Sequence, residues 1–156
     1  MPEKETLERA REDEREGKSP STQAGEFVRE EMHHIREGKH GAANTKQAIA
    51  IGLSKARRAG VKLNQPSAGS TSAETRKKAK QDSRKGSSHS RRKPSAKRSR
   101  ATSRALKKEG RSAASHRSLS RQARSSARKR GSTSRHNAAV KASRTRKRNK
   151  RKSSAR

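Results

Sequence analysis

Arg117, Arg121, Arg124 and Arg128 stand at i, i+4, i+7 and i+11. On a helix that spacing puts four guanidinium groups on one face. The guanidinium is always charged and donates in a planar fork that fits phosphate oxygens. Such a stripe could therefore lie along a phosphate backbone. Leu119, Ala123 and Ala127 fall on the opposite face. More basic residues continue and flank the stripe: Lys129 and Arg130, then Arg91, Arg92 and Lys93 with Lys97, Arg98 and Arg100. A last block holds Arg144, Arg146, Lys147, Arg148, Lys150, Arg151 and Lys152. Together these are the candidate nucleic-acid-binding residues. In a segment this rich in arginine a stripe also arises by chance, so plain solvated charge is the competing reading.

The charge is unevenly placed. Residues 1–63 carry 13 Lys/Arg and 11 Asp/Glu, whereas residues 64–156 carry 32 and 3. The sequence pI is about 11.9, above the value of about 9 that marks nucleic-acid binders. Leu106, Leu119 and Val140 are the only large apolar side chains after residue 63, so that part cannot build a core of its own. A long cationic segment without aromatics is a ligand for polyanions. The absence of Trp and Tyr, with Phe27 as the sole aromatic, argues against modules that stack bases.

Other chemistries find less support. There is no cysteine, which excludes a disulfide, a thiolate metal site and a Cys nucleophile. Glu30–His34 and His33–Glu37 are i, i+4 pairs. His33 and His34 are adjacent and so point about 100° apart on a helix, where they cannot converge on one ion. These residues read as helix-surface ion pairs, with no metal and no cofactor. Asp13 and Asp82 are the only aspartates, and no Gly-rich phosphate loop is present. The chain is expected not to be an enzyme. No run approaches the roughly 18 apolar residues of a membrane span, and the first residues carry no secretory signal.

The elements that must position these groups can be sketched. Residues 1–18 read as a charged helix or arm ending at Gly17. Residues 19–63 read as a helical hairpin. Ser19 before Pro20 is an N-cap followed by proline at N1, and Ala24, Phe27, Val28, Met32 and Ile35 make an apolar stripe. Gly38 fits the residue after the helix end. Asn44 with Gln47 resembles a capping box. In the second helix Ala48, Ile49, Gly52, Leu53 and Ala56 share a face, with Gly52 small enough to let another helix close in. Gly60 and Val61 fit a Schellman ending. Phe27, Val28, Ile35, Ile49 and Leu53 are the expected hairpin core. A unit near 40 residues rarely folds alone, so the hairpin is expected to be a marginal unit that forms a homodimer, docks on a partner or fluctuates. Residues 64–73 read as a linker and residues 74–156 as a basic low-complexity tail. High charge with few apolar residues signals disorder. The expected fold class is mostly α with extensive disorder: a small amphipathic hairpin, a long basic tail and no β-sheet.

The stretch from Ser19 to Gly41, SPSTQAGEFVREEMHHIREGKHG, followed by TKQAIAIGLSKARRAG from Thr45 to Gly60, resembles a family of small, Lys/Arg/Ser-rich basic bacterial proteins of unknown function. Lys97–Gly110 and Leu119–Ala123 also resemble that family, and Arg91–Lys97 is similar to linker-histone tails in composition. The resemblance transfers no catalytic residue and implies a bacterial cytoplasm. The reading is a nucleoid-associated, histone-like protein that binds DNA without sequence preference. The alternatives are an RNA- or ribosome-associated basic protein and a disordered stress-protective protein.

Overall fold

The computed structural model describes residues 2–88 and 95–153. In chain order the helices are α1 (Lys4–Arg15), α2 (Pro20–Arg36), α3 (Thr45–Arg58), α4 (Ala73–Ser87), α5 (Ala96–Lys108), α6 (His116–Lys129) and α7 (Gly131–Ser153), with a short 3-10 turn at Ser112–Ala114. Among the described residues there is no strand, only an isolated bridge between Ala68 and Thr71. The chain divides into two compact units, Met1–Ser118 and Leu119–Arg156.

The hairpin forms for local reasons that the sequence contains. Ser19 accepts a bond from the Thr22 amide with Pro20 opening α2. Asn44 accepts from the Gln47 amide at 2.9 Å, while the Gln47 side chain takes the Ala43 amide at 2.7 Å. The reciprocal bond of the capping box thus lands one residue early. Gly38 and Gly60 both have positive φ, at 78° and 101°, which only glycine adopts freely. At Gly60 the Val61 amide returns to the Ala56 carbonyl, the six-to-one bond of a Schellman ending.

Packing proceeds outward from α2 and α3. α1 lies on α2, α4 lies on α3, and the 3-10 turn touches both α2 and α3. Phe27 and Ile35 are fully buried, together with Ala24, Ala48 and Ala56. Val28, Ile49 and Leu53 are half-buried. Most other core residues are alanines, so the helices must approach closely to exclude water. A β-carbon on Gly52 would stand 2.7 Å from the Val28 Cα. α1 does not stand apart: its Ala10 joins the cluster of Ala24, Phe27 and Ala56, and Arg9 pairs with Glu26 at 2.8 Å. α4 is held on α3 by Asp82, which accepts from Ser54 at 2.6 Å and from Arg58 at 2.9 Å. Gly86 meets the last turn of α3, where a β-carbon would overlap the Arg57 carbonyl.

The expectation of extensive disorder and a long basic tail is corrected by these elements. Four α-helices follow residue 72, and the first of them is packed on α3. The physical reason is that a shortage of apolar residues forbids a separate core but not a helix. Ala, Arg and Lys rank among the best helix formers. Serines then supply the starts: Ser72 accepts from the Thr75 amide, and Ser115 from the Ser118 amide, each at 3.2 Å. Glu74 and Lys78 add an i, i+4 pair at 2.8 Å. The 3-10 turn is fixed on the hairpin because Arg36 donates to the Ala114 carbonyl and Thr45 to the Ala113 carbonyl.

Two substitutions separate helix propensity from packing. Nothing lies within 4 Å of a β-carbon on Gly25, so Gly25→Ala should stabilise by about 0.5–1 kcal/mol. Gly52→Ala carries the same propensity gain but drives α2 from α3, and should lower the urea midpoint. An equal rise for both variants would refute the close approach. Phe27→Ala should cost about 3–5 kcal/mol. An unchanged urea midpoint would remove Phe27 from the core.

Candidate functional site

The cations of α5, α6 and α7 are presented on helices. These three helices carry six, five and nine Lys/Arg respectively and no acidic residue. From residue 83 onward the sequence holds a single carboxylate, Glu109. On α6, Arg117, Arg121, Arg124 and Arg128 are all exposed. At 100° per residue they fall within a sector of about 60°. Leu119 and Ala127 are half-buried, while Ala123 is exposed. Lys129 ends the helix, and Arg130 joins α6 to α7; both are exposed.

On α5, Lys97, Arg98 and Arg100 are exposed, as are Arg104, Lys107 and Lys108. Lys97, Arg100, Arg104, Lys107 and Lys108 share a sector of about 100°, with Leu106 opposite. Arg104, Lys107 and Lys108 escaped the sequence reading, although their spacing of 3, 4, 3 and 1 from Lys97 is as regular as that on α6. The end of α5 is tethered to the turn after α2: the Leu106 and Gly110 carbonyls accept from the amides of Gly41 and Ala42 at 2.9 and 3.2 Å. On α7 the order differs. Arg144, Arg146, Lys147, Arg148, Lys150 and Arg151 are exposed, but their spacing distributes them around the helix rather than along one face. Lys152 lies in α7 as well. Arg91, Arg92 and Lys93 lie outside the described residues.

A second group of polar residues is buried on α2. Glu30 and Glu31 are 5% and 0% exposed. Lys55 of α3 stands between them, 3.2 Å from Glu30 Oε1 and 2.7 Å from Glu31 Oε2. Glu30 also accepts from the Glu3 amide at 3.2 Å. Burial raises the pKa of Glu30, but the Thr6 hydroxyl, the Glu3 amide and the Lys55 ammonium outweigh it and hold the carboxyl below its ordinary value. His34 Nε2 lies 2.8 Å from Glu3 Oε1, and Lys39 Nζ lies 3.2 Å from the same oxygen. Those two bonds, His34 first, hold the Glu3 carboxyl at about 2. His40 Nε2 stands 3.2 Å from Glu31 Oε1. His34 is thus buried against Glu3 and Glu30, not paired on the surface, whereas His33 does pair with Glu37 at 3.1 Å on the exposed side. Spacing along α2 alone could not bring His40 into this group. The turn at Gly38 does, and Gly41 keeps it there: a β-carbon on Gly41 would overlap the Glu109 carbonyl.

A further buried charge sits where α3 meets α4. Arg57 is 8% exposed, and burial lowers its pKa, partly offset by Asp82. Its Nη2 donates to the Asn64 carbonyl at 3.3 Å.

Comparison with known proteins bears on the first of the two units. Residues 18–66 match a family of unknown function (DUF6496). That segment contains α2, α3, the turn between them and the residues Glu30, Glu31, His34, His40 and Lys55. α5, α6 and α7 lie beyond it. No curated protein and no solved structure matches the chain. Among the described residues no helix is long and apolar enough to cross a membrane.

Proposed function

We propose that this protein binds nucleic acid through its phosphates, without regard to base sequence, as a nucleoid-associated, DNA-binding protein of a bacterial cytoplasm. The observation that supports this most is the exposed cations of α5, α6 and α7, on helices that carry no acidic residue. Each phosphate neutralised releases condensed counterions, so affinity falls with salt by a slope of about −0.9 per contact. On α6 the four arginines are spaced along one face over about 16 Å of helix axis. That length matches roughly five base-pair rises of a duplex strand. Side chains that read base edges must be held in a groove, and arginines aligned along a backbone are placed for phosphate instead.

The test is the salt dependence of duplex DNA affinity for the full chain and for R117Q/R121Q/R124Q/R128Q. Glutamine keeps helix propensity near that of arginine and removes four charges. If all four arginines meet phosphates, the slope should become shallower by about 3 to 4. An unchanged slope would take α6 out of the interface. If the full chain fails to bind duplex at about 50 mM salt, the whole reading fails. Structured RNA and heparin as competitors decide the polyanion: displacement of duplex by RNA at far lower concentration would turn the assignment to RNA.

Binding to unrelated duplexes of equal length should agree within a few-fold at fixed salt. A preference of about 1000-fold, the lower end for specific binders, would overturn non-specific recognition.

A further inference from the structure

Glu31, His34 and His40 converge. One ligand atom from each lies within 4.8 Å of the other two. Glu31 and His34 stand at i, i+3 on α2, which puts them on one face. His40 is returned to that face by the turn at Gly38, with Gly41 and Ala42 bonded to the carbonyls of Leu106 and Gly110.

Three observations point to a cation among them. The first is Glu31 itself. It is fully buried, and its two oxygens are not alike. The Lys55 ammonium offsets the charge at Oε2, 2.7 Å away. Oε1 has only the His40 ring, 3.2 Å away, and accepts no hydrogen bond. A buried carboxylate oxygen left so is costly, and a metal ion, which binds through the lone pair, relieves that cost. The second is the tautomer of His40. Its Nδ1 lies 3.1 Å from the Gly41 carbonyl, which can only accept. Nδ1 therefore carries the proton, and in the neutral ring Nε2 presents its lone pair to Glu31 Oε1. Two lone pairs 3.2 Å apart repel unless a proton or a metal ion sits between them. That separation is close to the distance of about 3.3 Å between two donors on a tetrahedral ion with bonds of about 2.0 Å, and the third donor lies within 4.8 Å of both. The third is His34. Its Nε2 donates to Glu3 Oε1 at 2.8 Å, so in the neutral ring Nδ1 keeps its lone pair, with Glu30 Oε1 3.9 Å away. A carboxylate behind one imidazole and a backbone carbonyl behind the other are the supports that orient metal-binding histidines.

We infer that Glu31, His34 and His40 form a binding site for a divalent transition-metal ion of the zinc class. Two imidazoles and a carboxylate suit Zn2+ and Co2+. Lys55 takes Glu31 Oε2 and leaves Oε1 for the ion. The charge fits as well. Glu3, Glu30 and Glu31 face the ammoniums of Lys39 and Lys55, and Lys39 is shared with Glu37 at 3.1 Å. Metal bound here would tie α2 to the turn that follows it.

The test is titration of the full, metal-stripped and nucleic-acid-free chain with Zn2+ by calorimetry, and with Co2+ by visible absorption. The wild type should bind one equivalent, with a Co2+ spectrum of tetrahedral type, and its Tm should rise with metal. His40→Gln, at a half-buried position on the turn, should weaken Zn2+ binding by about 100-fold or more. Glu3→Gln, a supporting group, should weaken it by about 10–100-fold. His33→Gln, exposed and one residue from His34, should change nothing. Circular dichroism of His40→Gln confirms that the fold persists. Absence of stoichiometric binding, or equal affinity in His40→Gln, overturns the site. A loss in His33→Gln as large as in His40→Gln also overturns it, because the ion would then bind surface histidines.

Discussion

At Gly52 the backbone of α3 comes so near α2 that no side chain fits between, and the remaining contacts of the first unit follow from that distance. Ala24, Ala48 and Ala56 can be buried only because the two helices are close. Phe27 and Ile35 then suffice as the bulky residues in between. The same approach sets the polar group. Lys55 lies about one turn past Gly52, and its long side chain carries the ammonium back to both carboxylates, 3.2 Å from Glu30 and 2.7 Å from Glu31. A wider crossing would leave Glu31 buried with no cation in reach. α1, α4 and the 3-10 turn complete the cover. They give the hairpin, within one chain, apolar and polar neighbours that a unit of about 40 residues lacks by itself.

The polar group contributes order more than net stability. Burying carboxylates costs several kcal/mol each before their partners are counted. The partners of Glu30 come from three places in the chain: the Glu3 amide, the Thr6 hydroxyl and the Lys55 ammonium. Such a set is satisfied in one arrangement only. An apolar contact between α1 and α2 would tolerate sliding by a turn, since Leu7 and Ala10 offer little shape. The hydrogen bonds to Glu30 do not tolerate it. That a registry is fixed at some expense in stability is the best-attested role of buried polar groups.

Much of the hairpin was legible because its signals are local. Ser19-Pro20, Asn44, Gly38 and Gly60-Val61 each act within five residues, and each appears in the structure where its chemistry places it. Gly52 was legible too, as a small residue on an apolar face. What escaped the sequence were the long-range consequences. The packing of α1 depends on Ala10 and Thr6 fitting beneath a particular face of α2, and no periodicity announces that. The docking of α4 depends on Asp82, one of three acids after residue 63. Composition counts it as a minor correction to a positive total, yet it joins Ser54 and Arg58. His40 lies near Glu31 and His34 in the sequence, but its approach to them depends on a turn, not on a helical spacing. The helices after residue 72 were misread as disorder for a different reason. A scarcity of apolar residues and a high net charge bear on whether a segment can form a core, whereas α5, α6 and α7 rest on helix propensity, with a serine cap at the start of α6.

A highly charged helix has to overcome its own repulsion. On α6, Arg117–Arg121 and Arg124–Arg128 are like-charge i, i+4 pairs and Arg121–Arg124 an i, i+3 pair. At about 0.2–0.5 kcal/mol each, the three together cost on the order of 1 kcal/mol. Alanine at 123 and 127, arginine itself and the Ser115 cap are of comparable size in the opposite sense. Helix formation there is thus finely balanced, and neutralising the arginines shifts the balance toward the helix. The helix in turn changes what the arginines can do. Eleven residues cover about 16 Å as a helix but up to about 36 Å when extended. Folding the segment therefore roughly doubles its linear charge density, and it gathers four guanidinium groups onto one side. On the proposed reading, phosphate contact at α6 would favour the helix and the helix would favour the contact, so that the two would reinforce each other.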